Sequence, residues 1–181
     1  VLENVEVSKF RAERLFNESW DSKPVLFEYP KLGLSLIWDE PWASSTSVVK
    51  RDGAALTSNV INLDKPNGDG WQIIMSEYPS PASEPLRNQR RTLEGVAKSM
   101  GLQVHVQYEQ DWRGLESSIQ TGTLAFDGEE YLVKNSATYI PGLQVMMQRM
   151  VWSLSPATTQ AEFQRLSESV MVFNLDIPKA P

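Results

Sequence analysis

The sequence contains no cysteine and a single histidine, His105. The lack of cysteine excludes thiol nucleophiles, thiolate metal sites, iron–sulfur clusters and disulfides, and one histidine does not make a His-rich metal site. Basic residues are also in the minority: 17 Lys and Arg stand against 23 Asp and Glu, a net charge of −6. Because nucleic-acid affinity comes mainly from Lys and Arg that neutralise phosphates, we expect no nucleic-acid partner.

Long apolar runs are missing as well. No stretch approaches the roughly 20 apolar residues that a membrane-spanning helix needs, so we expect no transmembrane segment. The chain begins at Val1 without a methionine, which is compatible with a leader that has been removed. Together with the absence of cysteine, this favours a periplasmic or envelope-associated location, with the cytoplasm as the alternative. The sequence leaves the oligomeric state open.

The motifs of common catalytic and cofactor sites are absent too. No position fits G-x-S-x-G, a phosphate-binding loop or a dinucleotide fingerprint. A Ser-x-x-Lys match runs from Ser47 to Lys50, but in an extended strand its odd spacing sends the two side chains to opposite faces. The acidic loop 64–70 lacks the oxygen donors that an EF-hand needs at its third and fifth positions. We therefore predict no catalytic residue, no metal site and no cofactor.

What is present is a chain of 181 residues that is 41% hydrophobic, enough for one domain. Short β-rich runs at 25–29 and 34–38 predict a hairpin, and Asp52-Gly53 predicts the turn of a second one. We interpret residues 1–24 as an N-terminal extension and residues 25–181 as a single domain.

The second half of the chain has clearer periodicity. Apolar residues on one helical face predict a helix over 84–100 with Ser83 as its N-cap, and Gly101 is the expected stop. Strands are predicted at 102–108, 117–126, 130–139 and 143–154, with Asp127-Gly128 as a hairpin turn. A last helix begins near Ser155-Pro156. The order predicts an α+β fold: a central antiparallel β-sheet with helices packed on its faces.

Aromatic and methionine side chains supply the first candidate binding residues. Six tryptophans are a high number for this length, and Trp38, Trp42 and Trp71 flank predicted turns. Large aromatics pack in cores but also anchor interfaces, and the cluster Met146, Met147 and Met150 has the same two interpretations. We take the three tryptophans as candidate binding residues on an aromatic and Met-lined face.

Three arginines form the second candidate group. Arg87, Arg90 and Arg91 share one face of the predicted helix and would suit a phosphate or a carboxylate. Glu84 and Glu94 lie at the spacings of helical ion pairs with them, so a solvated helix face explains the cluster equally well.

Segment 33–42, GLSLIWDEPW, resembles the first core strand of the PsbP-like superfamily. That superfamily includes the photosystem II extrinsic protein PsbP, the Ran-binding nucleotide release factors, small bacterial envelope proteins and chaperones of secretion effectors. The order of elements over about residues 25–175 is similar. The resemblance implies an α/β/α sandwich and a protein that works by binding others; no metal-binding or Ran-binding residue of the superfamily is matched here.

The sequence leaves three hypotheses. The leading one is a non-enzymatic, chaperone-like accessory protein, bacterial and extracytoplasmic, that binds a protein partner through the aromatic and Met-lined face. The alternative is a carrier of a small molecule or lipid, with a pocket between the sheet and helix 84–100. The third is an enzyme that uses carboxylates alone, for which nothing in the sequence brings two acids together.

Overall fold

The computed structural model describes residues 5–8, 15–16, 25–29, 34–38, 43–51, 57–64 and 68–172. Within these ranges the elements are, in chain order, β1 (Val5–Ser8), β2 (Leu15–Phe16), β3 (Val25–Tyr29), β4 (Leu34–Trp38), β5 (Ala43–Arg51), β6 (Thr57–Asp64), β7 (Gly70–Glu77), α1 (Pro85–Met100), β8 (Gln103–Trp112), β9 (Leu115–Phe126), β10 (Glu129–Ile140), β11 (Val145–Ser153), α2 (Pro156–Ser169) and β12 (Val170–Val172).

Most of the strands form one large sheet. Its order is β1-β5-β6-β7-β11-β10-β9-β8, and β2 also pairs with β5. A smaller sheet has the order β12-β4-β3, in which β3 and β4 are the predicted hairpin. The pairings between described strands are antiparallel, as predicted. The Asp52-Gly53 turn lies outside the described residues. β1 and β2, which belong to the proposed N-terminal extension, both pair with β5. The domain boundary proposed at residue 24 stays a prediction.

Two tight turns shape the strands at the β8 edge of the sheet. Asp127 and Gly128 both have positive φ, 51° and 80°, the backbone of a type I′ hairpin turn, as their sequence predicts. Arg113 and Gly114 repeat this geometry between β8 and β9, with φ of 54° and 79°. Glycine is favoured at the second position of each turn because it has no Cβ to clash there.

The helices lie on opposite faces of the large sheet. Odd-numbered residues of β10, such as Val133 and Ala137, pack with Leu93 and Ala97 of α1. The even-numbered Ile140 belongs instead to the cluster that contains Phe163 and Leu166 of α2. Because side chains alternate across a strand, the two helices enclose the sheet as the outer layers of an α/β/α sandwich.

β11 occupies the centre of this sandwich between β7 and β10. Eight of its nine residues are buried, so the strand is covered on both faces. Met146 and Met150 face α1, whereas Met147 and Val151 face α2. This explains why the predicted central strand shows no clean alternation: a strand covered on both faces does not need one.

The helix boundaries follow local signals. Gly101 ends α1 with φ of 72°, as predicted, and the Leu102 amide donates to the Ala97 carbonyl at 2.9 Å. The prediction of Ser83 as N-cap is wrong: the cap is Glu84, without a side-chain bond, because Pro85 presets the first helical turn. In α2 the Ser155 hydroxyl accepts from the Thr158 amide at 3.4 Å. In the described part of the chain, neither helix is long and apolar enough to cross a membrane.

Candidate functional site

A cavity of about 600 Å³ opens on the α2 face of the sheet. We call it the basic pocket. α2 packs over β10 and β11, which leaves the face of β8 and β9 open beside it. One wall comes from the β8–β9 hairpin: Gln110, Asp111, Trp112, Arg113, Ser117 and Ile119. The other wall comes from α2 and includes Gln160, Phe163, Gln164, Ser167 and Glu168.

The floor of the basic pocket is polar, although it lies in the middle of the sheet. Lys134 of β10 and Arg149 of β11 line it, at 6% and 1% exposure. Lys134 is the direct partner of Val151, two residues beyond Arg149, and such diagonal neighbours lie roughly 7–8 Å apart. The register therefore places two buried cations side by side under one opening.

Arg149 has less hydrogen bonding than its burial requires. Its Nη2 donates to Thr138 Oγ1 at 3.2 Å, while its Nε and Nη1 have no hydrogen-bond partner among the described residues. No described carboxylate forms an ion pair with it. Burial, and to a smaller extent the charge of Arg113, lower the pKa of this guanidinium to about 9. Arg149 still carries its charge at neutral pH.

Aromatic rings hold the Arg149 guanidinium in place. Its central carbon lies 4.7 Å from the Trp112 ring centroid and 5.5 Å from the Phe163 ring centroid. Lys134 shares the same environment, with Nζ 4.7 Å from the Phe163 ring centroid and a 2.8 Å hydrogen bond to Gln160 Oε1. These cation–π contacts stabilise the cations but supply no negative charge.

Arg113 connects the hairpin wall to the end of α2. Its Nη2 donates to the carbonyls of Ser167 and Glu168 at 3.4 and 3.2 Å, and Trp112 Nε1 donates to the Ser167 carbonyl at 3.2 Å. The last turn of α2 has no basic residue of its own, so Arg113 supplies the cation that a helix C-terminus favours. Partial burial lowers the pKa of Arg113. The positive charge of Arg113 therefore already interacts with the C-terminal end of α2.

The two acids of the basic pocket lie at its exposed rim. Asp111 and Glu168 are both exposed. Asp111 Oδ1 accepts from the Gly114 amide at 3.1 Å, and Glu168 Oε1 accepts from Gln164 at 2.9 Å. The pocket thus has buried cations inside and carboxylates at its mouth.

The predicted tryptophans are not assembled at this site. Trp71 is 1% exposed and belongs to the core under α2. Trp38 is the last residue of β4, but its side chain lies outside the described residues, as does all of Trp42. Met146, Met147 and Met150 are also buried, at 3% exposure or less. The part of the Met-lined face that the structure describes is therefore core, because β11 is covered on both faces.

The predicted arginines lie on the exposed side of α1, on the opposite face of the sheet from the basic pocket. Arg87 pairs with Glu84 at 2.9 Å, and Arg90 Nε donates to Glu109 Oε1 at 2.9 Å. Arg91 is exposed. His105 is exposed on β8, with Nε2 3.1 Å from Thr123 Oγ1, and it does not line the pocket.

Sequence reasoning missed Lys134 and Arg149. One signal was available for Arg149: it is the only charged residue of an otherwise buried strand. Lys and Arg are almost never fully buried unless paired, so a charge inside such a run marks a special position. What the sequence does not give is the β9–β10–β11 register that brings Lys134 and Arg149 under one opening.

Comparison with solved structures identifies the fold. The chain is similar to cyanobacterial PsbP (CyanoP) from Synechocystis sp. PCC 6803, with a TM-score of 0.58 and 15% identity over 84% of this chain and 94% of that one. It is also similar to PA94, a protein of unknown function from Pseudomonas aeruginosa, with a TM-score of 0.45 and 13% identity over 87% and 99% of the two chains. No protein-family model matches the sequence, and no curated protein matches it. The fold is PsbP-like, which confirms the resemblance seen in the sequence.

Proposed function

We propose that the protein is a non-enzymatic binding protein whose basic pocket, between the sheet and α2, receives a negatively charged group. The observation that carries this proposal is Arg149: a charged side chain, 1% exposed, with two nitrogen atoms that no described residue bonds. The PsbP-like fold supplies the scaffold, and fold alone does not decide function.

The energetic argument starts from the cost of burying a charge. Removing a guanidinium from water costs several kcal/mol, and an apolar side chain of similar volume often serves stability as well or better. Arg149 meets two aromatic rings and one hydroxyl, which offset only part of that cost. An anion bound at the pocket would supply the missing charge and hydrogen bonds. The arginine is therefore explained by a bound state more readily than by stability.

The side chains of the pocket favour binding over catalysis. With its pKa lowered to about 9, Arg149 still holds its proton at neutral pH and therefore does not act as a general base there. Lys134 already donates to Gln160, Ser117 Oγ is engaged with Thr138 Oγ1 at 2.5 Å, and the single histidine lies elsewhere. These groups can attract and orient an anion without a nucleophile–base pair.

This proposal retains the small-molecule alternative from the sequence and moves its pocket from α1 to α2. The α1 face is occupied by Leu93 and Ala97, which pack directly on β10. Recognition of a protein partner through Trp38 and Trp42 stays a prediction, because both indoles lie outside the described residues. An accessory role and an extracytoplasmic location stay predictions in the same way.

The test is thermal unfolding with sodium salts of small anions: benzoate, acetate, phosphate and sulfate. A ligand that binds only the folded state raises Tm with its concentration, but sulfate and phosphate also stabilise proteins without a site. The comparison that decides is between Arg149→Met and Arg87→Met, which remove the same charge inside and outside the pocket. We expect at least one anion to raise Tm in the wild type and Arg87→Met but not in Arg149→Met. Equal responses in all three proteins would overturn the proposal.

A further inference from the structure

The geometry points to the class of ligand: we propose that the basic pocket binds an organic monocarboxylate whose carboxylate meets Arg149 and whose apolar body fills the rest of the cavity. This inference rests on the proposed function and deepens it. Three independent features carry it: the free edges of Arg149, the net charge of the lining, and the size and polarity of the cavity.

The guanidinium of Arg149 is a planar group with N–H donors along its edges, so its interactions are directional. It has five N–H donors, and the hydrogen bond to Thr138 Oγ1 uses one of them. Trp112 and Phe163 lie over the group at 4.7 and 5.5 Å, which limits its rotation. A planar guanidinium held in one orientation matches a carboxylate through two parallel hydrogen bonds. A flat anion that lies in the guanidinium plane is therefore the head group that matches Arg149.

The charge of the lining sets the charge of the ligand. Three cations line the pocket, Arg113, Lys134 and Arg149, against the carboxylates of Asp111 and Glu168, so the lining has a net charge of +1. A monoanion neutralises it. A dianion such as a phosphate monoester would place its second charge near the acids at the rim, and like charges disfavour each other.

The cavity is too large and too apolar for a bare anion. Its volume is about 600 Å³, within the roughly 300–1,000 Å³ of pockets that hold drug-sized molecules. Ile119, Trp112 and Phe163 supply apolar lining. An apolar body displaces water from this surface, which adds binding free energy in proportion to the apolar area covered. Acetate or formate would leave most of this apolar lining in contact with water.

Isothermal titration calorimetry at pH 8 separates these features with four probes. Benzoate has the head and the body, acetate only the head, benzamide only the body, and phenylphosphonate a body with a charge close to −2. We expect benzoate to bind at least tenfold more tightly than each of the other three. Because hydrogen bonds to charged groups are strong, we expect Arg149→Met to weaken benzoate binding about 10- to 100-fold. Arg87→Met is the matched control and should leave it unchanged.

The possible failures are distinguishable. If phenylphosphonate binds more tightly than benzoate, and Arg149→Met abolishes that binding, the ligand class is wrong and the proposed anion pocket stands. If benzamide equals benzoate, the charge of the ligand is irrelevant and the inference is overturned. If none of the three anionic probes binds, both the inference and the proposed function are overturned. Lys134→Met guards against a folding defect in Arg149→Met: it should also weaken benzoate, and unchanged affinity there would contradict the charge argument.

Discussion

Both faces of the central sheet contain buried polar side chains, but the hydrogen bonding of these side chains differs between the two faces. Under α1, three glutamine side chains donate hydrogen bonds within the fold. Gln120 donates to the Leu93 carbonyl at 3.0 Å, Gln89 donates to the Glu116 carbonyl at 2.9 Å, and Gln148 donates to Asn135 at 3.1 Å. The first two bonds attach α1 to the sheet, the third joins β11 to β10, and Asn135 Nδ2 is the one amide nitrogen among these side chains without a hydrogen-bond partner in the described part of the protein.

Under α2 two of the buried polar groups are charged, Lys134 and Arg149, and the fold leaves Arg149 short of hydrogen-bond partners. Arg149 immediately follows Gln148 in β11 and therefore points to the opposite face. Its Nε and Nη1 are without hydrogen bonds in the described part of the protein. Burial of a polar residue is therefore not itself a sign of function. The informative case is the buried charge whose donors the fold does not use.

The largest expected effect concerns the leucines that anchor each helix. Leu93 on α1 and Leu166 on α2 are 2% and 0% exposed, so Leu→Ala at either position should cost about 2–5 kcal/mol of unfolding free energy. Only Leu166→Ala should also weaken benzoate binding, because Leu166 supports the α2 wall of the pocket. Urea denaturation and calorimetry measure the two quantities. Equal losses of affinity in both variants would contradict the assignment of function to one face.

The next prediction compares Gln148 and Arg149, which are adjacent residues of β11. Gln148→Leu removes the amide that bonds Asn135, and an unsatisfied buried group costs about 1–3 kcal/mol. Arg149→Met removes an unpaired buried charge, so its unfolding free energy should equal or exceed that of the wild type. Urea denaturation of the two variants measures both unfolding free energies. If Arg149→Met loses as much stability as Gln148→Leu, Arg149 is a structural residue.

The pH dependence of binding gives a smaller effect. Burial and Arg113 lower the pKa of Arg149 to about 9, and the cation is the form that binds an anion. Benzoate affinity should therefore be constant near pH 7 and fall as pH rises through about 9, by about fourfold at pH 9.5. Calorimetric titrations across this range test it. A flat profile up to pH 9.5 would contradict the lowered pKa of Arg149.

The smallest effect is expected on the exposed face of α1. Arg87 and Glu84 form an exposed i,i+3 pair, and such pairs contribute roughly 0–1 kcal/mol. Arg87→Met should therefore change the unfolding free energy by less than about 1 kcal/mol and leave benzoate affinity unaltered. Thermal unfolding at low and high salt provides the measurement. A larger loss of unfolding free energy would show that the Arg87–Glu84 pair is structurally important, and weaker benzoate binding would support the predicted arginine cluster as a functional site.

Much of the fold could be predicted from residues alone. Gly101, Asp127-Gly128 and Ser155-Pro156 each mark a boundary through local backbone chemistry, and the structure places the elements accordingly. The α+β class and the antiparallel sheet followed from the order of these elements. Such signals are local, so they need no knowledge of which strands are neighbours.

The candidate site could not be predicted in the same way. Its residues come from β8, β9, β10, β11 and α2, and their proximity depends on strand order and register. Trp71 and the methionines were ambiguous between core and surface because an aromatic or thioether side chain suits both. The order β7-β11-β10 resolves this, since it puts these residues inside. Arg149 was recognisable as unusual, but its lack of a carboxylate partner is a three-dimensional fact.

The central claim is that the donors of Arg149 are free for an anionic ligand. The most direct measurement is the ¹H–¹⁵N NMR resonance of the Arg149 Nε–H group, assigned by its loss in Arg149→Met, during titration with benzoate and then with benzamide. We expect a saturable shift with benzoate and none with benzamide, while the Nε–H resonance of Arg87 does not move. A resonance of Arg149 that does not move at saturating benzoate, or that moves equally with benzamide, would contradict it.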